Sequence, residues 1–142
     1  VVLVFALAGC GSSGGSADPS PSTSPTIAAP TTFSVQGDIT VADGLAAGPG
    51  GPCVTTGTGY DDIEAGTAVV VKGNSGKQVA LGRLVDGVAT DDSDDTTVRC
   101  VFGFSVRDVP EGSPIYTISI GRRGETAYSR ADLNSPINLT LG

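Results

Sequence analysis

Histidine, methionine and tryptophan are all absent from the chain. Without histidine there is no Ser-His-acid triad, no imidazole general base and none of the usual histidine-ligated mononuclear metal sites. Aromatic side chains are few, with 4 Phe and 3 Tyr, and the 21 glycines point to many tight turns. Positive charge is scarce as well: 8 Lys and Arg face 15 Asp and Glu, for a net charge of -7. That balance argues against a nucleic-acid partner and against a domain lying flat on an anionic membrane. No glycine motif for phosphates survives inspection, because Gly57-Thr58-Gly59 is short and leads into Tyr60-Asp61-Asp62 where a helix start is required. No catalytic residue is assigned, and the chain is not expected to be an enzyme. The minor catalytic alternative is a secreted hydrolase with paired carboxylates, which needs one carboxyl raised in a cleft.

What is present begins with an apolar run, Val1 to Ala8. Eight residues rise only about 12 Å as a helix and cannot cross a hydrocarbon core of about 30 Å, so the run reads as the apolar part of an export signal. Neither Met nor a basic residue precedes it, so the sequence is expected to start within its signal peptide. Leu7-Ala8-Gly9-Cys10 follows, flanked by Gly11, Ser12 and Ser13. This segment resembles the lipobox of bacterial lipoproteins. The resemblance implies Leu7, Ala8 and Gly9 as signal peptidase recognition residues and Cys10 as the lipidated first residue of the mature protein. Several acyl chains anchor what one chain holds only weakly. The competing reading is an ordinary signal peptide, or a truncated membrane helix, with Cys10 incidental.

The chain has 3 cysteines, and an odd count in an exported protein calls for a reason. If Cys10 carries lipid, Cys53 and Cys100 remain as a disulfide pair in an oxidising compartment. Closing that loop removes about 4 kcal/mol of unfolded-chain entropy. Two buried thiols are the alternative; two sulfurs alone do not complete a zinc site. From Cys10 to Thr31 the composition is mostly Gly, Ser, Thr, Pro and Ala, which cannot bury enough side chain to offset ordering its backbone. Residues 10–31 therefore read as a tether reaching at most about 70 Å, open to O-glycosylation.

Residues 32–142 read as one all-β domain. Phe33, Val35, Ile39 and Val41 alternate with polar or small residues, as a strand with one buried face requires. Ala68–Lys72 and Lys77–Val85 flank the turn Gly73-Asn74-Ser75-Gly76, which predicts a hairpin. Over Thr97–Arg107, Val98, Cys100, Phe102, Phe104 and Val106 point one way, so both phenylalanines are assigned to the core rather than to a ligand groove. Further strands are expected at Ile115–Ile120, near Glu125–Tyr128, and at Ile137, Leu139 and Leu141, with a single helical turn around Arg130–Asn134. Seven or eight such strands bury their alternating faces most simply as two packed antiparallel sheets.

The lipobox, the tether, Gly59-Tyr60-Asp61-Asp62-Ile63, Val69-Val70-Val71, Cys100-x-Phe102-x-Phe104-x-Val106, Ile115-Tyr116 and Leu139-Thr140-Leu141-Gly142 together resemble the lipid-anchored β-sandwich domains of actinobacterial, notably mycobacterial, lipoproteins. That resemblance implies an immunoglobulin-like two-sheet sandwich on the outer face of the cell membrane, and no substrate or catalytic residue.

Two clusters remain as candidate sites. Asp91, Asp92, Asp94 and Asp95 supply hard oxygen ligands for weak calcium binding, although they lack the EF-hand pattern, and Asp61, Asp62 and Glu64 read the same way; solvated turns are the plainer reading of both. Arg122 and Arg123, joined by Arg107 and Arg130, form a candidate partner-contact patch. No other cofactor is expected. The expected role is a non-catalytic envelope module, held to the membrane through its lipid, that contacts an envelope protein or a cell-wall polymer. The alternative is a small-ligand or lipid carrier with a pocket between the sheets.

Overall fold

The computed structural model of the chain describes residues 27–42, 44–46, 49–91 and 98–142. Its strands are β1 (Thr32–Val41), β2 (Leu45–Ala46), β3 (Cys53–Val54), β4 (Ala68–Lys72), β5 (Gln78–Arg83), β6 (Val88–Asp91), β7 (Val98–Pro110), β8 (Ile115–Ile120), β9 (Thr126–Ser129) and β10 (Ile137–Leu141). A single 3-10 turn, Asp132–Asn134, lies between β9 and β10. No helix among the described residues is long and apolar enough to cross a membrane.

The strands build two four-stranded sheets, in the orders β10-β1-β7-β6 and β5-β4-β8-β9, beside a two-residue ladder of β2 and β3. Their inward side chains form one core: Val35, Ile39 and Val41 of β1 and Phe102, Phe104 and Val106 of β7 meet Val69 and Val71 of β4 and Ile118 and Ile120 of β8. The period-2 pattern that places Cys100, Phe102, Phe104 and Val106 inward fails at Arg107 and Asp108. There two residues of β7 stand opposite Ser34 alone, since Val106 pairs with Val35 and Val109 with Phe33. Asp108 takes φ 57° at this bulge, and the extra residue returns Val109 to the core. Buried Tyr116 keeps its hydroxyl satisfied by donating to Pro110 O at 2.6 Å, and its ring meets Phe33 edge-on at 5.3 Å.

The expected hairpin is β4–β5, antiparallel from Ala68↔Arg83 to Lys72↔Gln78. The C-terminal segment is a paired strand, but its pairing corrects the all-antiparallel expectation. β10 runs parallel to β1, with Gly37↔Ile137 through Val41↔Leu141 in register. Alternating hydrophobicity assigns residues to a face and is silent on strand direction, so it could not distinguish these arrangements. Ten strand segments are present among the described residues; eight belong to the two four-stranded sheets.

The two sides of the stack differ. After β5 the chain leaves its sheet and joins the other: Leu84 bridges Phe104, the Val85 amide donates to Gly103 O at 2.9 Å, and β6 continues along β7 from Val88↔Val101. A strand that changes sheets in this way makes a sealed corner. On the opposite side β9 and β10 are the terminal strands of their sheets, and no ladder joins them among the described residues.

Candidate functional site

A cleft of about 470 Å³ lies beside the sealed corner, lined by the 50–56 segment, Glu64, Ala65, Asp86–Val88 and Phe102. The 50–56 segment is held there by backbone bonds, from the Gly50 amide to Ala89 O at 2.8 Å, the Ala89 amide to Gly51 O at 3.0 Å and the Cys53 amide to Gly87 O at 3.0 Å. Covalent attachment completes the wall, because Cys53 is disulfide-bonded to Cys100 of β7 with their Cα atoms 5.6 Å apart. Gly44 packs against this bridge so closely that a Cβ there would fall 1.9 Å from Cys100 Sγ. Gly87 has a similar role at the cleft, where a Cβ would sit 2.4 Å from the Phe102 ring. Three apolar side chains around the cleft face are exposed, Leu45 at 55%, Val54 at 54% and Val88 at 48%, with Leu45 and Val54 paired across the β2–β3 ladder.

The loop from Thr55 to Ile63 is folded on itself. The buried Thr55 hydroxyl donates to Ile63 O at 2.6 Å, the Thr58 hydroxyl to Thr55 O at 2.6 Å, and Asp61 accepts from the Gly57 amide at 2.7 Å. Asp62 fastens this loop to the turn after β8. Its carboxylate accepts from the Arg123 guanidinium and, at 3.4 Å, from the Arg122 amide. Arg123 also donates to Gly59 O at 3.1 Å and lies 5.0 Å over the Tyr60 ring. Burial pushes the Asp62 carboxyl up, but the Arg123 hydrogen bond, the backbone bonds and the Arg123 charge outweigh it and hold it below the ordinary value.

Arg123 Nε is buried without a partner at the same place. On the open side a second concavity, of about 240 Å³, has Ile39, Ile118, Ile120, Leu139 and Leu141 among its lining residues. Arg123, Glu125, Thr126 and Thr140 also line it, and Glu125 is ion-paired with Lys72.

The structure thus joins two clusters that the sequence presents separately, the acids after Tyr60 and the arginines of the Gly121–Gly124 turn. Arg123 is engaged within the domain. Arg130 is also engaged, gripping Glu111 through Nε at 2.9 Å and Nη2 at 2.7 Å and lying 3.8 Å over the Phe33 ring. The Arg130 hydrogen bond draws Glu111 below its ordinary value against a smaller effect of burial, and the Ser129 hydroxyl and amide draw Asp132 down. Leu7, Ala8, Gly9, Cys10, Asp92, Asp94 and Asp95 lie outside the described residues, and Asp91 ends β6 opposite Val98. The cleft residues around Pro52 and Gly87 were not singled out by the sequence. Their only signal is a cluster of Gly and Pro, which marks any loop.

No protein-family model, curated protein or solved structure matches the chain.

Proposed function

We propose that this is a lipid-anchored, non-catalytic protein of the cell envelope, held through Cys10 on the outer face of the membrane, whose β domain contacts an envelope protein or polymer. The cleft face carries this reading. A concavity of about 470 Å³ beside exposed Leu45, Val54 and Val88 combines accessible backbone with apolar surface, as contact sites do. The actinobacterial lipoprotein resemblance and the tether composition support the location. An immunoglobulin-like sandwich of eight strands is part of the proposal, supported by the two facing four-stranded sheets.

The test compares the Cys10→Ser chain, immobilised, with the same chain carrying Val54→Asp and Val88→Asp, each exposed to detergent-solubilised envelope. Retention of a component by the first and at least tenfold less by the second is expected; equal retention by both overturns the contact face. In cells, mass spectrometry is expected to find acylated Cys10, and a Cys10→Ser chain that stays with the membrane removes the anchor.

A second reading, a small-ligand carrier, is favoured by one observation, the apolar concavity where the two sheets are not joined.

A further inference from the structure

We infer that the partner of the cleft face is a protein segment carrying lysine or arginine next to apolar side chains, an inference that rests on the contact reading of that face. Charge complementarity selects this occupant. The charged residues lining the cleft are Glu64 and Asp86, and none of the chain's 8 Lys and Arg joins them there. Both acids are exposed, and among the described residues neither carboxylate has a hydrogen bond or an ion pair. The ion pairs between described residues lie elsewhere, at Lys72–Glu125, Arg123–Asp62 and Arg130–Glu111. Arg83 sends its guanidinium to Gly66 O at 2.7 Å and stays outside the lining.

Apolar surface sets the rest of the partner. Pro52, Val54 and Val88 belong to the same lining and are all exposed. Valine side chains gain by leaving water against apolar groups, whereas a carboxylate that loses water gains only where a cation meets it. A segment that carries both kinds of side chain answers both demands. A polymer built on phosphate or uronate groups brings the wrong sign to the cleft, and the net charge of -7 opposes its approach at longer range.

The full chain with Cys10→Ser is titrated at low salt with the peptide acetyl-Lys-Leu-Ala-Leu-Lys-amide, and backbone amide shifts are followed by NMR. Saturable shifts are expected at residues 52–56, 64–65 and 86–88. Glutamate in place of both peptide lysines should abolish them, and serine in place of both leucines should weaken binding at least threefold. Glu64→Gln combined with Asp86→Ser is expected to weaken binding about fivefold, as loss of two exposed ion pairs does. Asp108→Asn removes an equally exposed charge further along β7 and should change binding less than about twofold. If the double variant does not melt like the parent, the parent's salt series replaces it, with binding falling at least threefold between about 20 and 300 mM salt.

Saturable shifts confined to another face, binding indifferent to the double variant and to salt, or equal binding of the glutamate peptide overturns the inference. So does the absence of saturable shifts at about 5 mM peptide, where contacts of millimolar affinity register. A glucosamine oligomer that binds as tightly as the peptide makes the partner a cationic polymer and also overturns it. The envelope retention assay separates this inference from the contact reading. There, burial of two valines outweighs two added rim carboxylates, so Val54→Asp with Val88→Asp still weakens a cationic partner. Retention lost with that pair but kept with Glu64→Gln and Asp86→Ser removes the cationic partner alone, and retention kept by both pairs removes the contact face with it.

Discussion

The two sides of this domain close by different means. At one side the chain itself crosses from sheet to sheet at Leu84 and Val85, and the Cys53–Cys100 bridge locks the adjoining segment to β7. At the other, β9 and β10 are the terminal strands of their sheets and no ladder joins them among the described residues, while the turn after β8 is fastened to the Thr55–Ile63 loop by the Asp62–Arg123 tie. Backbone and covalent links resist separation as a unit, whereas a side-chain seam opens locally at much lower free energy. The sealed side therefore holds its surface as one unit with the core, whereas the other side can loosen without breaking a backbone ladder between the sheets.

The severest way to break this comparison is to remove the wall of the open side. Deleting Leu139–Gly142 takes away most of the parallel ladder with β1 and uncovers Ile39 and its neighbours. The truncated chain is expected to lose its cooperative thermal transition. A melt matching that of the full chain would show that β10 is a dispensable edge. Next in size is the disulfide. It links residues 47 apart in sequence, and its loss is expected to lower stability by about 4 kcal/mol, or the melting temperature by more than about 10 °C. Thermal melts with and without a reductant measure this, and an unchanged midpoint would show that the corner needs no staple. A smaller effect comes from filling the sealed side. Gly87→Val forces a side chain into the position of the Phe102 ring, an overpacking expected to cost about 1–3 kcal/mol. A denaturant titration with an unshifted midpoint would mean that the ring yields freely.

How far the sequence foretold these regions follows from what each depends on. Alternation in β7 is local, so the inward set from Cys100 to Val106 was legible, as was the β4–β5 hairpin from its turn residues. The bulge at Asp108 was not, because the strand read from alternation ends at Arg107, and two polar residues before Val109 look the same as a strand end. Cysteine parity identified the bridge between Cys53 and Cys100. The parallel partner of β10, the change of sheets after β5 and the meeting of Asp62 with Arg123 are all long-range facts. Each requires knowing which strands neighbour each other, and hydrophobic period carries no such information. The cleft and the seam arise from those neighbours, so neither could be read before the topology was known.

The finest distinction between the two sides is their response to acid. Asp62 titrates below its ordinary value because Arg123 and the Arg122 amide hold its charged form. A depressed carboxyl contributes stability that is present above its unfolded value, near pH 4, and that disappears as pH falls through the folded value. Asp62→Asn removes the charge and is expected to cost about 1 kcal/mol at pH 7, modest because Arg123 retains partial solvent exposure. The gap in melting temperature between Asp62→Asn and the parent should then narrow steadily below about pH 4. It will not remove all acid sensitivity, since Glu111 and Asp132 are also drawn down. Amide exchange gives the spatial readout: near neutral pH, Asp62→Asn should speed exchange at residues 121–126 and leave residues 84–89 and 100–104 unchanged. Equal acceleration on both sides would mean that the Asp62–Arg123 tie stabilises the whole domain and that the open side has no separate low-energy opening.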